Sequence, residues 1–356
     1  MGIVMGMSDE EVELHDKLNQ LQYIVKDLKS ANVVLVGDLM MDQYIRGFAN
    51  NLNSRAPVPV LRETMRERDV GAAAHVARGL KSMGMNSKLF GVVGDDKAGI
   101  NILNSLKSEG VDISGIVSIE NRVTTVKTRL LASRESLISG EQLLLRWDVE
   151  DDNPVPEEYT NELINSAIQS LDGSDVLILS DYGQGVITDT GAPKLIEAAK
   201  KAGVQVIADP KLTGLHRSVG ADWVLFQKQG LEIMRKRLGV PSGKDAARKL
   251  IDTYGWTNLV VLAGENGVTV YDSENTFHAP CKLEDLRQMI GLIDAAAVAL
   301  AVSISSELDK AGTAHIANAA SECILGAERT ESFVLNKSDL IDRLGEMAWN
   351  LQISKR

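Results

Sequence analysis

Cysteine is almost missing from this 356-residue chain. The two present, Cys281 and Cys323, lie far apart and form no Cys-x-x-Cys pair, so no thiolate metal motif is read here. A disulfide between them is open on paper, but two thiols kept reduced in the cytosol are the expected state. The five histidines, His15, His75, His216, His278 and His315, show no ligand spacing, and no metal-ligand set is assigned. Aromatic residues are scarce at 4%, so the core has to be built from Leu, Ile, Val and Ala. Basic residues are outnumbered, 38 against 49 acidic, for a formal charge of −11. That balance repels nucleic acid and anionic lipid, although a local basic cluster can still bind a phosphate. No window holds 18 uninterrupted apolar residues, and the run from Ala295 to Ile304 is too short to span a bilayer. The first eleven residues have no basic region followed by an apolar stretch, so no signal peptide is read. The expectation is a cytoplasmic protein that binds neither nucleic acid nor membrane.

What is present is an alternation of two periodicities. Apolar runs of strand length recur in NVVLVGD (32–38), KLFGVVGDD (88–96), DVLILSDYG (175–183), VQVIADPK (204–211), DWVLFQ (222–227) and NLVVLAGENG (258–267). Helical patterns separate them at 72–83, 98–109, 158–171, 192–202 and 244–254. Strand and helix in turn predict an α/β fold with a central, mostly parallel sheet flanked by helices. Ser8 and Glu11 form a capping-box pattern ahead of an amphipathic stretch, predicting an N-terminal helical extension within residues 1–30. The main domain is expected over 31–345 and a short tail over 346–356. Two stretches break the rhythm. Residues 43–70 carry Pro57 and Pro59 and read as extended. Residues 123–132 and 141–150 read as two strands around a polar loop. Together, segments 43–70 and 120–150 predict a small β lid over a pocket.

Candidate chemistry clusters at the ends of the apolar runs, where open α/β sheets bind ligands. Asp38 and Asp42 follow the first run, and ionised carboxylates there suit sugar hydroxyls as well as plain loop solvation. DVGAAAHVARGL (69–80) places Gly71 and small residues at a helix start, with His75 close behind; ligand approach and tight helix packing both fit. Asp181 in SDYGQG, with Asp209 and Lys211 in ADPK, suits a metal–phosphate group. LAGENG, with Gly264 and Gly267, either hugs a nucleotide or simply turns a hairpin. QMIGLIDAAA (288–297) is either the end of a buried helix or a phosphate-binding turn. In the second case Gly291 makes the turn, the helix N-terminus attracts an anion, and Asp294 accepts a proton.

Taken in order, VGDLMMDQY, APVPV, GVVGDD, TTVKTR, LLRWD, LSDYGQGV and ADPK resemble the ribokinase-like (PfkB) carbohydrate kinases. The nearest likeness within that family is to the kinase modules acting on D-glycero-β-D-manno-heptose 7-phosphate, and it runs from about Asn32 to about Leu335. No nucleotidyltransferase module follows in this sequence. The resemblance implies ATP and Mg²⁺ as cofactors of an active enzyme, a sugar phosphate as acceptor, and a homodimer through the β lid. It puts Asp294 and Gly291 at the catalytic turn. It puts Asp38, Asp42, Gly71 and His75 on the sugar, and Lys127 and Arg129 near a substrate phosphate. It puts Asp181, Asp209, Lys211, Gln227, Gly264 and Gly267 on the nucleotide side. The chain also departs from the pattern. Gly-Gly-Ala-Ala-Asn has become Gly71-Ala72-Ala73-Ala74-His75. Asn-x-x-Glu has become Gln227-Lys228-Gln229-Gly230, and Thr-Arg-Gly has become Leu262-Ala263-Gly264. In the catalytic turn the glycine before the aspartate is Ile293, a β-branched residue expected to resist positive φ. These departures keep open a second expectation, a catalytically impaired pseudokinase acting as a sugar-phosphate-binding or a regulatory, interaction protein.

Overall fold

The computed structural model describes residues 7–133, 141–327 and 333–353. Helix α1 (Asp9–Lys26) precedes strand β1 (Asn32–Gly37). Two long strands follow, β2 (Leu39–Leu52) and β3 (Pro59–Ala72), and then α2 (Ala73–Ser82), β4 (Asn86–Gly94), α3 (Lys97–Ser108) and β5 (Asp112–Ile119). Next come β6 (Thr125–Ser133), β7 (Gln142–Val149), α4 (Glu157–Gln169), β8 (Val176–Ser180), α5 (Gly191–Ala202) and β9 (Gln205–Asp209). The chain continues through β10 (Trp223–Gln227), α6 (Lys228–Leu238), α7 (Gly243–Tyr254), β11 (Asn258–Leu262), β12 (Val268–Tyr271) and β13 (Thr276–Ala279). It closes with α8 (Leu292–Ser305), α9 (Lys310–Gly326) and α10 (Lys337–Ile353).

Nine strands form the main sheet in the order β13-β12-β11-β10-β9-β8-β1-β4-β5. The six apolar runs seen in the sequence are its parallel strands β1, β4, β8, β9, β10 and β11, joined by β5, while β12 and β13 add an antiparallel edge. Such runs are apolar throughout because both faces are covered. In β1, Val33 and Leu35 enter one core and Val34 and Val36 the other, as the two-residue period of a strand requires. Strand order runs outward from β1 in both directions, so the topological switch point lies between β1 and β8, where ligands of such sheets gather. Helix α8 is buried along almost its whole length, Ala295 to Ser303, which explains why its sequence is apolar on every side. Among the described residues, no helix is long and apolar enough to cross a membrane, and both cysteines are free.

The second sheet is the lid, in the order β3-β2-β6-β7. The polar loop read between β6 and β7 falls at 134–140, outside the described residues. At the N-terminus, Ser8 and Glu11 close the capping box on α1. Leu18, Leu21 and Val25 then bury into the same core as Leu340 and Leu344 of α10, and Gln22 Nε2 donates to the Ile341 carbonyl at 3.0 Å. Residues 346–353, expected to be a tail, are instead the last turns of α10. Met347 and Ala348 are buried there, giving that helix an apolar face to pack.

Candidate active site

A cavity of about 680 Å³ opens at the carboxyl ends of β8, β9 and β10, between the lid and the N-terminus of α8. Its floor carries Asp181, Asp209 and Asp294 with Lys211, and its lid side carries Asp42, Lys127, Arg129 and Arg146. Position follows from topology. Asp181 and Asp209 lie at or just past the ends of neighbouring parallel strands, while Asp42, Lys127 and Arg129 lie on paired lid strands. Asp42 and Lys127 are register partners, as are Tyr44, Arg129 and Arg146, so this charge set shares one face of the sheet. Arg129 is ion-paired to Asp42, and Lys127 Nζ lies 3.2 Å from Glu150.

The Gly291–Asp294 turn is built as a helix start. Gly291 sits at φ +83° as the N-cap of α8, a left-handed conformation natural to glycine. Asp294 follows in the first turn, where unpaired backbone N–H groups and the helix dipole favour an anion. Its Oδ1 lies 3.3 Å from the Tyr182 hydroxyl and its Oδ2 lies 3.1 Å from His75 Nδ1. Asp209 ends β9 on the cavity floor; burial, reinforced by Asp294 and Asp181, pushes its carboxyl well above the ordinary range. Burial pushes the Tyr182 phenol up as well, with the Asp294 charge adding to the effect, so Tyr182 stays a neutral donor. Asp181 is held by Arg217, whose Nη1 lies 3.1 Å away.

A second cavity of about 980 Å³ adjoins the first and shares Arg129, Gln227, Gln229, Met289 and Ile290 with it. Its walls are largely apolar, with Leu131, Leu143, Leu262, Leu286 and Leu325 among them. Ala263, Gly264 and Gln288 also line it, whereas Gly230 and Ile293 line the first cavity and Gln227 lines both. Among the described residues, no group of three or more His, Cys, Asp or Glu side chains is arranged to hold a metal ion.

Several positions read from the sequence lie elsewhere than expected. Asp38 is not in the cavity. It is 0% exposed, and its carboxylate accepts N–H bonds from Tyr182 and Gln184 on one oxygen and from Val186 on the other, at 2.8–3.1 Å. It clamps the loop after β8 to the end of β1, and a sugar cannot reach it. His75 does not line the cavity either; it lies behind Asp294. Gly71 packs against the Asp42 carboxylate rather than lining the space. Gly267 lines neither of the two cavities: a Cβ there would run into the backbone of Ala279 and Cys281, so it is glycine for the β11–β12 hairpin. Gly264 lines the second cavity only. The expected clash of Ile293 with positive φ does not arise. Ile293 is an ordinary residue of α8, and Gly291 takes the left-handed position; among the described residues, Ala72, Asn121 and Glu307 are the non-glycine residues with positive φ.

Sequence reading also missed three contributors. Tyr182 sat inside a quoted motif, but nothing in the sequence aims its hydroxyl at a residue 112 positions away. Arg217 lies in a segment with no ligand pattern and Arg146 within the LLRWD run, where no role was read for it, and only the fold brings them to Asp181 and the cavity wall.

Comparison with known proteins agrees with this geometry. Residues 30–336 match the family described as pfkB family carbohydrate kinase. The chain is 32% identical over 314 residues to the bifunctional protein HldE of Paramagnetospirillum magneticum, a match covering 87% of this chain and 63% of that protein. The chain thus spans under two thirds of that relative's length. Its fold is similar to that of phosphofructokinase-2 from Escherichia coli in a tetrameric inhibited form, with a TM-score of 0.71 at 16% identity over 90% of this chain and 100% of that one. It is also similar to the ribokinase of Arabidopsis thaliana complexed with ribose and ATP, with a TM-score of 0.69 at 17% identity over 89% of this chain and 99% of that one.

Proposed function

This chain belongs to the pfkB family of carbohydrate kinases, and from that premise we propose that it transfers the γ-phosphoryl group of ATP to a hydroxyl of a sugar that already carries a phosphate. A heptose 7-phosphate is the acceptor favoured by the sequence resemblance. The observation that carries the reading is one cavity with Asp294 at the N-terminus of α8 on one side and Lys127, Arg129 and Arg146 on the other. Asp294 takes the acceptor's hydroxyl proton, while the lid cations hold the phosphate the acceptor brings, as charge-assisted donors do. Phosphoryl transfer depends mainly on positioning and charge neutralisation, and the first turn of α8 supplies backbone donors for the transferred group.

The donor fits the second cavity by volume and by its apolar walls, which suit a nucleobase. Magnesium commonly takes one or two carboxylates together with phosphate oxygens, so Asp209 and Asp181 are the residues that would hold it alongside the nucleotide. The ion would supply charge neutralisation there. Without Glu at 230 and with Ala at 263, the donor side lacks a carboxylate and a cation, and we infer weaker donor binding than acceptor binding. Two copies would meet through the exposed outer face of the lid, where Leu145 and Trp147 are more than half exposed. Use of ATP would place the protein in the cytoplasm.

Calorimetric titration with Mg·ATP and then with heptose 7-phosphate tests the reading, followed by a turnover assay. Binding of both with turnover supports it. Sugar-phosphate binding without any ATP binding would sink it and leave a sugar-phosphate-binding protein.

A further inference from the structure

His75 stands where the family pattern has an amide, and its position gives the site a part that an amide cannot supply. The ring is 8% exposed, as is Asp294, and Nδ1 lies 3.1 Å from Asp294 Oδ2 at ion-pair distance without hydrogen-bond alignment. It sits directly under the catalytic turn: a Cβ added at Gly291 would come within 3.1 Å of the His75 Cε1 atom. The charged groups around the ring are few. Asp294 faces it from α8, Asp69 from β3, and Arg78 from its own helix, with Arg78 itself paired to Asp69 and Glu109. Asp294 also accepts from the Tyr182 hydroxyl at 3.3 Å and interacts electrostatically with the Asp209 carboxyl.

We propose that His75 is a proton-linked positioning residue for Asp294: charged, it holds the carboxylate back by ion pairing, and neutral, it frees that carboxylate to face the acceptor hydroxyl. The inference rests on Asp294 being the base of the proposed kinase reaction. The proton leaves His75 for solvent, and no bond to the acceptor is made or broken in that step. Asn at this position would keep one charge state at every pH and could not gate anything. Electrostatics point the same way. Burial alone would lower the affinity of the ring for a proton, but the Asp294 carboxylate outweighs burial and the net direction is upward from 6.5.

The test pairs two readouts. In the first, kcat is measured against pH for the wild-type protein and for His75→Asn, with Mg·ATP and heptose 7-phosphate. The wild type should gain activity through a single-proton limb centred above pH 6.5, the ordinary imidazole value, and the variant should lose that limb while KM for the acceptor stays put. A limb retained in His75→Asn overturns the inference. His75→Gln serves as the second neutral side chain if His75→Asn does not fold. In the second readout, the His75 ring is titrated by NMR in the labelled wild type and in Asp294→Asn. A wild-type midpoint above 6.5 that falls in the variant supports the pair. A midpoint at or below 6.5, or one unmoved by Asp294→Asn, overturns it. The NMR titration needs no turnover, so an inactive protein would end the kinase reading while the His75–Asp294 pair is still judged on its own.

Discussion

The two cavities share a wall and differ in almost everything else. The first is lined by aspartates, lysines and arginines drawn from strand ends and from the lid. The second, about 300 Å³ larger (980 less 680), is lined by five leucines and by the departed positions Ala263 and Gln288, while Gly230 and Ile293 line the first. The first gathers its charge on its floor and lid, whereas the second sets Glu141, Lys228, Glu232, Glu265 and Arg287 around a largely apolar surface. Charge and space answer to different constraints. A cavity at the switch point follows from strand order and persists as long as the sheet does. The charges lining it are single side chains, each lost by one substitution without cost to the fold. The family pattern's carboxylate and cation are absent at Gly230 and Ala263, so the departures bear on the proposed donor side.

The largest effect should come from the residue nearest the chemistry. Asp294→Asn removes the proposed base and is expected to lower kcat by ~10²–10⁴-fold while leaving acceptor binding measurable by calorimetry. An unchanged kcat would remove Asp294 from the mechanism. Lys127→Met probes the charged cavity from the lid. Losing one charge-assisted contact to a phosphate costs roughly 1.5–3 kcal/mol, so KM for a phosphorylated acceptor should rise ~10- to 100-fold. KM for the same sugar without its phosphate should barely move, and equal losses on both acceptors would deny the phosphate contact. Gly230→Glu tests the proposed donor side of the same cavity by restoring the family carboxylate. A Cβ there meets nothing closer than 3.6 Å, at Leu212, and the position lies inside α6, where glycine costs about 0.5–1 kcal/mol. The variant should melt higher and bind Mg·ATP several-fold more tightly. A gain in melting temperature without a gain in Mg²⁺-dependent affinity would mean that the donor side does not need the carboxylate.

The sequence made the parallel sheet legible because a strand buried on both faces has to be apolar throughout, and six such runs ended where ligands bind. It placed Asp181, Asp209, Lys211, Asp42, Lys127, Arg129 and Asp294 around one space because each follows or lies within a recognisable strand or helix start. It failed at Asp38 because an aspartate at a strand end looks the same whether it faces a ligand or a neighbouring loop. Only the N–H groups of Tyr182, Gln184 and Val186, more than 140 residues on, decide the matter. It failed at Ile293 by placing the strained position two residues too late. Arg217 and Tyr182 stayed hidden because their partners are distant in sequence. Helices α6, α9 and α10 went unread, although the last two have side-chain caps: Asp309 accepts from the Gly312 N–H and Asn336 from the Asp339 N–H.

The smallest predicted effect concerns the one departure that the backbone itself still contradicts. Ala72 lies at φ +56° and ψ −133°, at the junction of β3 and α2 and on the wall of the charged cavity. The family pattern has glycine there, and this backbone conformation is one that glycine adopts and an L-side chain resists, at a cost of order 1–3 kcal/mol. The alanine side chain is buried, so part of that cost is offset by packing. Glycine in its place would relieve the strain but lose more entropy on folding, about 0.5–1 kcal/mol relative to alanine. The balance predicts that Ala72→Gly stabilises the fold by roughly 0.5–1 kcal/mol, read as a higher denaturation midpoint at unchanged slope. If the midpoint falls instead, the packing of the Ala72 methyl outweighs the strain, and the acceptor side would have gained stability from the substitution that the donor side did not.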